Sequence, residues 1–264
     1  MHENRDQQTV QDQLHRSHSH FFTTLILGLL LLLITPACSQ TEQRVVENSQ
    51  SEKAKPSEAE PADWLHLPGN IGDVRAQGPG AMVTAEGYVT TTPGSFAGVN
   101  YDMGFALQDD CAGIYVRVFD DPSLVLNQHV RVSGILSSRR KHLILNVKIE
   151  DIEVLEGSRS IAPTRVNTVD ISDSTEGKLV TVEGVMSSGA LNDLPYGWKF
   201  YMNDGSGHVV IYIASSVDDA DPFEIPWLVH NAKFRLTGYS SDYTTHSEIM
   251  PRSLKDFTPL KAED

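Results

Sequence analysis

The second half of this chain repeats the first. Val83-Thr84-Ala85-Glu86-Gly87 corresponds to Val180-Thr181-Val182-Glu183-Gly184, and residues 105–118, FALQDDCAGIYVRV, align without a gap on residues 200–213, FYMNDGSGHVVIYI. Val130-Arg131-Val132-Ser133-Gly134 then matches Phe234-Arg235-Leu236-Thr237-Gly238, and Asp151-Ile152 matches Asp256-Phe257, in the same order. One supersecondary unit therefore occurs twice, and a fold for one half must serve for both. Within each half the apolar residues alternate: Ile114, Val116 and Val118 face one way, as do Val209, Ile211 and Ile213. No helical pattern longer than a few turns follows Ala81, so the class is all-β.

Each half reads as a long first strand with an internal glycine, a hairpin turning at an Asp/Gly/Ser cluster, a fourth strand ending in Ser/Thr-Gly, and a fifth strand. Glycine at Gly87 and Gly134, and at Gly184 and Gly238, allows the sharp bending that a small closed barrel needs. This predicts two tandem five-stranded OB-fold barrels, over 64–157 and 163–262. Asn70 is placed to cap a short helical turn over Ile71–Ala76 ahead of the first barrel.

Residues 21–34, FFTTLILGLLLLLI, form an apolar run followed by Thr35, Pro36, Ala37 and Cys38. The run is short for a transmembrane helix and leads through small residues into a cysteine, as in an export signal. Residues 1–38 are thus expected to be a lipoprotein-type signal with Cys38 as the lipidated residue, or an uncleaved anchor. Residues 39–63, SQTEQRVVENSQSEKAKPSEAEPAD, are too polar to bury a core and are expected to be a disordered linker. Spending Cys38 on lipid leaves Cys111 alone, so no disulfide is expected in the folded part. His15, His18 and His20 have metal-ligand spacing but precede the signal and would leave with it.

The runs NIGDVRA (70–76), VTAEGYVTTTPGSF (83–96), FALQDDCAGIYVRVF (105–119) and DPSLVLNQHVRVSGIL (121–136) resemble the OB-fold modules that accompany secreted bacterial nucleases and other surface proteins. EGKLVTVEGV (176–185), DGSGHVVIYI (204–213) and FRLTGY (234–239) carry the same resemblance in the second copy. Cys111 and Ala112 stand where that family's turn usually has Thr or Ser and Gly. The resemblance implies binding, with nucleic acid the usual ligand of the wider fold.

OB barrels bind on the face of strands two and three and with the loops joining strands one to two and four to five. In the first copy this selects Phe96 and Tyr101 in the loop 91–102, Arg139, Arg140 and Lys141 at the loop 137–141, and Tyr115 and Arg117 by alternation. Aromatic faces beside cations suit a single strand, where bases stack and guanidinium groups meet phosphates. The same residues also fit a solvated hairpin tip and a cross-strand pair. In the second copy the loops 187–198 and 240–247 supply Tyr196, Trp198, Tyr243 and His246, with Tyr201 and Tyr212 outward beside Lys199. That surface is aromatic but not basic, and suits sugars, nucleobases or a protein interface.

The net charge is −14, and −13 without residues 1–38, so the whole-molecule field opposes a polyanion and any nucleic-acid site must be local. Motifs for catalysis are lacking: there is no CxxC, HExxH, phosphate loop or GxSxG. Asp109 and Asp204 recur at one turn in both copies and read as Asx-turn residues; Asp218, Asp219 and Asp221 read as a solvated loop. The expectation is a non-catalytic binding protein of the cell envelope, without cofactor or metal. Its membrane contact is the N-terminal anchor, and its partner is single-stranded nucleic acid or, alternatively, an envelope protein or glycan.

Overall fold

The computed structural model describes residues 69–217 and 225–261. The signal or anchor with Cys38, the linker and the loop at Asp218, Asp219 and Asp221 lie outside the described residues. In the first copy β1 (Met82–Val89), β2 (Phe105–Gln108), β3 (Gly113–Arg117), β4 (Gln128–Arg139) and β5 (His142–Ser158) close in the order β1-β2-β3-β5-β4. β6 (Thr164–Arg165) leads into the second copy, made of β7 (Leu179–Met186), β8 (Leu191–Asp193), β9 (Gly197–Asn203), β10 (His208–Ala214), β11 (Lys233–Tyr243), β12 (His246–Met250) and β13 (Phe257–Pro259). There β7-β9-β10-β12-β11 run in the same order and β11 returns to β7, closing a second five-stranded barrel; β6, β8 and β13 add to its strands.

The repeated blocks pair with each other identically. Val83 faces Gly134 and Gly87 faces Val130 in the first barrel, while Val180 faces Gly238 and Gly184 faces Phe234 in the second. A Cβ on Gly87 would lie 2.8 Å from the Gln108 carbonyl oxygen, and one on Gly184 2.7 Å from that of Asn203, the residue that corresponds to Gln108. Close approach of the hairpin backbone thus fixes these glycines. β4 and β11 do not end at Gly134 and Gly238, as the sequence suggested, but run on to Arg139 and Tyr243. Gly134 sits where the β4–β5 register shifts, so it bends the strand without stopping it.

Ile114, Val116 and Val118, and Val209, Ile211 and Ile213, are all buried as expected, but so are Tyr115, Val210 and Tyr212 between them, because the outer faces of β3 and β10 are covered as well. Asn70 caps helix α1 (Ile71–Ala76), its side chain accepting from the Asp73 N–H at 2.9 Å. Asp109 accepts from the Cys111 and Ala112 N–H groups at 2.8 and 2.7 Å and from the Ile71 N–H at 2.6 Å, so its turn holds α1 against the barrel. Asp204 does the same in the second copy, accepting from the Ser206 and Thr168 N–H groups at 2.8 and 3.0 Å. Burial alone would raise its pKa, but the Ser206 and Thr168 donors hold it well below the usual carboxylate range. Thr168 opens a 3-10 turn, Thr168–Asp170, capped by Asn167. In both copies the asparagine Nδ2 donates to the aspartate Oδ2 three residues on, at 2.5 Å from Asn70 to Asp73 and 2.9 Å from Asn167 to Asp170, so the repeat begins earlier than its strands.

Cys111 corrects an expectation: it is disulfide-bonded, not a lone turn residue. It lies in the half-exposed hairpin turn, where a thiol is open to oxidation.

Candidate binding cleft between the barrels

The face on which the first barrel was expected to bind is covered by the second. Tyr115 does point away from its own barrel, but it is 2 % exposed and belongs to a core cluster with Phe96, Ala106 and Ile144 of the first copy and Tyr239 of the second. Its hydroxyl donates to Asp102 Oδ1 at 2.7 Å, and Arg117 Nε donates to Asp102 Oδ2 at 3.1 Å. Burying the Tyr115 ring recovers more free energy than leaving it to solvent, and the buried Asp102 carboxylate requires a cation beside it. Phe96, placed in the ligand loop from sequence, is wholly buried 5.6 Å from the Tyr239 ring. Trp198 is likewise core, at 8 % exposure.

Polar contacts lock the joint. Arg75 donates to Glu176 Oε1 at 2.9 Å and to the Gly113 carbonyl at 3.0 Å, and Gln108 Oε1 accepts from the Leu179 N–H at 2.7 Å. His142 Nε2 lies 2.6 Å from the Tyr239 hydroxyl, with the ring 5.7 Å from both the Tyr115 and Tyr239 rings. The residue keeps some surface, but burial of the imidazole, followed by the charge of Arg75, lowers its pKa to about 3.

Four of the sequence-predicted residues, Tyr101, Arg140, Tyr196 and Tyr212, converge on one cleft of about 430 Å³, within the size range of ligand pockets. The first copy contributes Tyr101, 63 % exposed in the loop after α2 (Ala97–Asn100), and Arg140. Arg140 and Lys141 form the two-residue turn between β4 and β5, with φ of 56° and 75°. This turn projects the Arg140 guanidinium to 5.0 Å from the Tyr243 ring centroid. Tyr101 meets Tyr196 edge-on at 6.2 Å between centroids. From the second barrel come Asp193, Tyr196, Lys199, Tyr212, Tyr243 and Glu248. Tyr212 pairs with Lys199 in the β9–β10 register and donates its hydroxyl to Asp193 Oδ2 at 3.0 Å; burial and then Asp193 raise its pKa.

The remaining predicted residues fall elsewhere. Arg139 is half-buried and donates to the Asn100 carbonyl at 3.2 Å, which holds the Tyr101 loop. Lys141 is exposed and lines a separate groove with Arg75 and Glu176. Tyr201 is exposed on the β9 face, 6.4 Å from the His208 ring and in an adjoining crevice. Asp193 and Glu248, absent from the sequence reading, are the carboxylates of the cleft; the repeat does not mark Glu248, because the residue at its register position in the first copy is the buried Ile144.

The arrangement defines a protein of two OB-type barrels fused through a common core, with a composite aromatic cleft at their junction. No protein-family model and no curated protein matches the chain. Solved structures similar to it include an OBody bound to hen egg-white lysozyme, at 20 % identity over 39 % of this chain and 100 % of that one, with a TM-score of 0.31. A murine DNA-binding protein bound to double-stranded DNA matches at 10 % identity over 69 % of this chain and 97 % of that one, with a TM-score of 0.37. A replication protein A heterotrimer bound to single-stranded DNA matches at 13 % identity over 69 % of this chain and 49 % of that one, with a TM-score of 0.28.

Proposed function

We propose that the chain is a non-catalytic binding protein of the cell envelope that holds a short stretch of single-stranded nucleic acid in the cleft between its barrels. The observation that carries this reading is the grouping of Tyr101, Tyr196 and Tyr243 with Arg140 and Lys199 around one cleft. Bases stack on tyrosine faces whatever their sequence, and cations at the rim meet the phosphates. Of the two acids of the cleft, Glu248 is drawn inward at 4 % exposed and the half-buried Asp193 accepts from the Tyr212 hydroxyl. Export and tethering rest on the apolar run 21–34. Cys38 carries lipid, or the run stays as an uncleaved anchor.

The test is binding of labelled single-stranded DNA and RNA to the full chain in detergent across a salt series, beside an Arg140→Ala/Lys199→Ala variant. Arg139 is left in place because it holds the Tyr101 loop. Removing two phosphate contacts would lower the slope of log affinity against log salt by roughly 1.4. Binding that does not change with salt would refute the nucleic-acid reading.

A second reading, a glycan or envelope-protein ligand, is favoured by one observation. Arg140 and Lys199 are balanced by Asp193 and Glu248, which suits a neutral ring-bearing ligand. Salt-independent binding of an oligosaccharide or of an envelope protein, lost with Tyr101→Ala, would establish it.

A further inference from the structure

The buried carboxylate of Glu248 is unexplained by folding. It is 4 % exposed, sits on β12 opposite Val210 and Ser241, and lines both the cleft and the small crevice that adjoins it at Tyr115. Its polar contact is His246 Nε2 at 3.4 Å, and the His246 side chain is itself 39 % exposed. By contrast, the other acids of the junction are engaged from within: Asp102 by Tyr115 and Arg117, Glu176 by Arg75 and the Leu143 N–H, Asp242 by Ser247. No carboxylate oxygen among the described residues is sealed off without a partner, so the Glu248 oxygen not held by His246 opens on the cleft, where a ligand that displaces its water must supply the donors.

We propose that Glu248 is the specificity-determining residue of the cleft, accepting the adjacent N1–H and N2–H donors of a guanine base. This rests on the nucleic-acid reading above. Guanine alone among the common bases presents two neighbouring N–H donors on one edge, and they match the two oxygens of a carboxylate. Uracil and thymine present one imino N–H flanked by two carbonyl oxygens that the carboxylate repels; adenine and cytosine present an amino group beside an unprotonated ring nitrogen. A buried acceptor rejects such mismatches strongly, because it would remain desolvated and unpaired. One of the perpendicular Tyr101 and Tyr196 rings would stack on the base and the other meet its edge, while Arg140 and Lys199 stand at the rim for its phosphates. His246, half in solvent, can yield its place at the carboxylate to the base edge.

The experiment is a titration of the full chain in detergent with labelled thymidine oligomers. Each carries a single central dG, dA, dC or inosine, the last of which lacks the N2 amino group. Roughly ten- to hundredfold tighter binding of the dG oligomer over the all-thymidine one, with inosine between, is expected from one bidentate base contact. The isosteric Glu248→Gln should lose the preference, binding the dG oligomer no more tightly than it binds the all-thymidine one. Equal affinity for all central bases, with salt-sensitive binding intact, overturns the guanine assignment and leaves the nucleic-acid reading standing, as does a preference that survives Glu248→Gln. Failure of every oligomer to bind at low salt overturns both.

Discussion

Acidification should loosen the junction between the barrels through a single imidazole. His142 has a pKa of about 3 in the fold, against about 6.5 for an unfolded histidine. Between those values the unfolded chain carries a proton that the native chain does not, so the unfolded state gains on acidification. The stability due to a neutral His142 is fully present above pH 6.5 and is lost as pH falls toward 3. From pH 7 to pH 4.5 that loss amounts to about 2.5 kcal/mol. Other groups titrate too. Glu183 and Asp204, with lowered pKa values, weaken the fold only at lower pH, while Glu176 and Asp242, with raised ones, act in the opposite sense. The quantity to measure is therefore a difference: urea unfolding of the protein and of His142→Gln, whose amide can still reach the Tyr239 hydroxyl, at both pH values. The protein should lose about 2.5 kcal/mol more than the variant over that interval. Parallel losses would refute the assignment of a buried neutral imidazole at the joint.

Gly184→Ala should destabilise the protein by about 1–3 kcal/mol in chemical denaturation, because the new Cβ meets the Asn203 carbonyl oxygen at 2.7 Å; an unchanged midpoint would contradict the close approach. Tyr239→Ala should cost about 3–5 kcal/mol and, since Tyr239 packs with Tyr115 and Phe96, split one cooperative unfolding transition into two in calorimetry. Thiol alkylation before reduction should leave Cys111 unmodified, and after reduction should label it, as read by peptide mass spectrometry; labelling before reduction would show that the disulfide does not form.

The barrels were legible because the repeat preserves what a barrel demands: alternating apolar residues on Ile114, Val116 and Val118, and glycine where hairpin backbones crowd Gly87 and Gly184. The Asx turns at Asp109 and Asp204 were legible for the same reason, a short-range hydrogen-bond pattern written twice. The site was only half legible. Alternation correctly turned Tyr115 and Arg117 out of their barrel, but periodicity within one barrel says nothing of what lies outside it, and there the second copy packs. Phe96 and Trp198 were read as loop aromatics, yet both turn inward because large rings bury first. Tyr101, Tyr196 and Tyr212 were named from separate copies; only their docking brings them around one cleft. Glu248 left no signal, since a carboxylate on an alternating strand reads as solvent-facing until a neighbouring domain covers it.

The most direct test of the composite cleft is fluorescence anisotropy of a labelled single-stranded oligonucleotide with the full chain in detergent. It compares Tyr101→Ala and Tyr196→Ala, one from each copy, with Tyr201→Ala as a control outside the cleft. Base stacking on tyrosine contributes about 1–3 kcal/mol per base, so each cleft substitution should weaken binding by roughly five- to 150-fold, and the control should leave it unchanged. Binding that survives loss of both Tyr101 and Tyr196, or that follows Tyr201 instead, would contradict a ligand site built from both barrels.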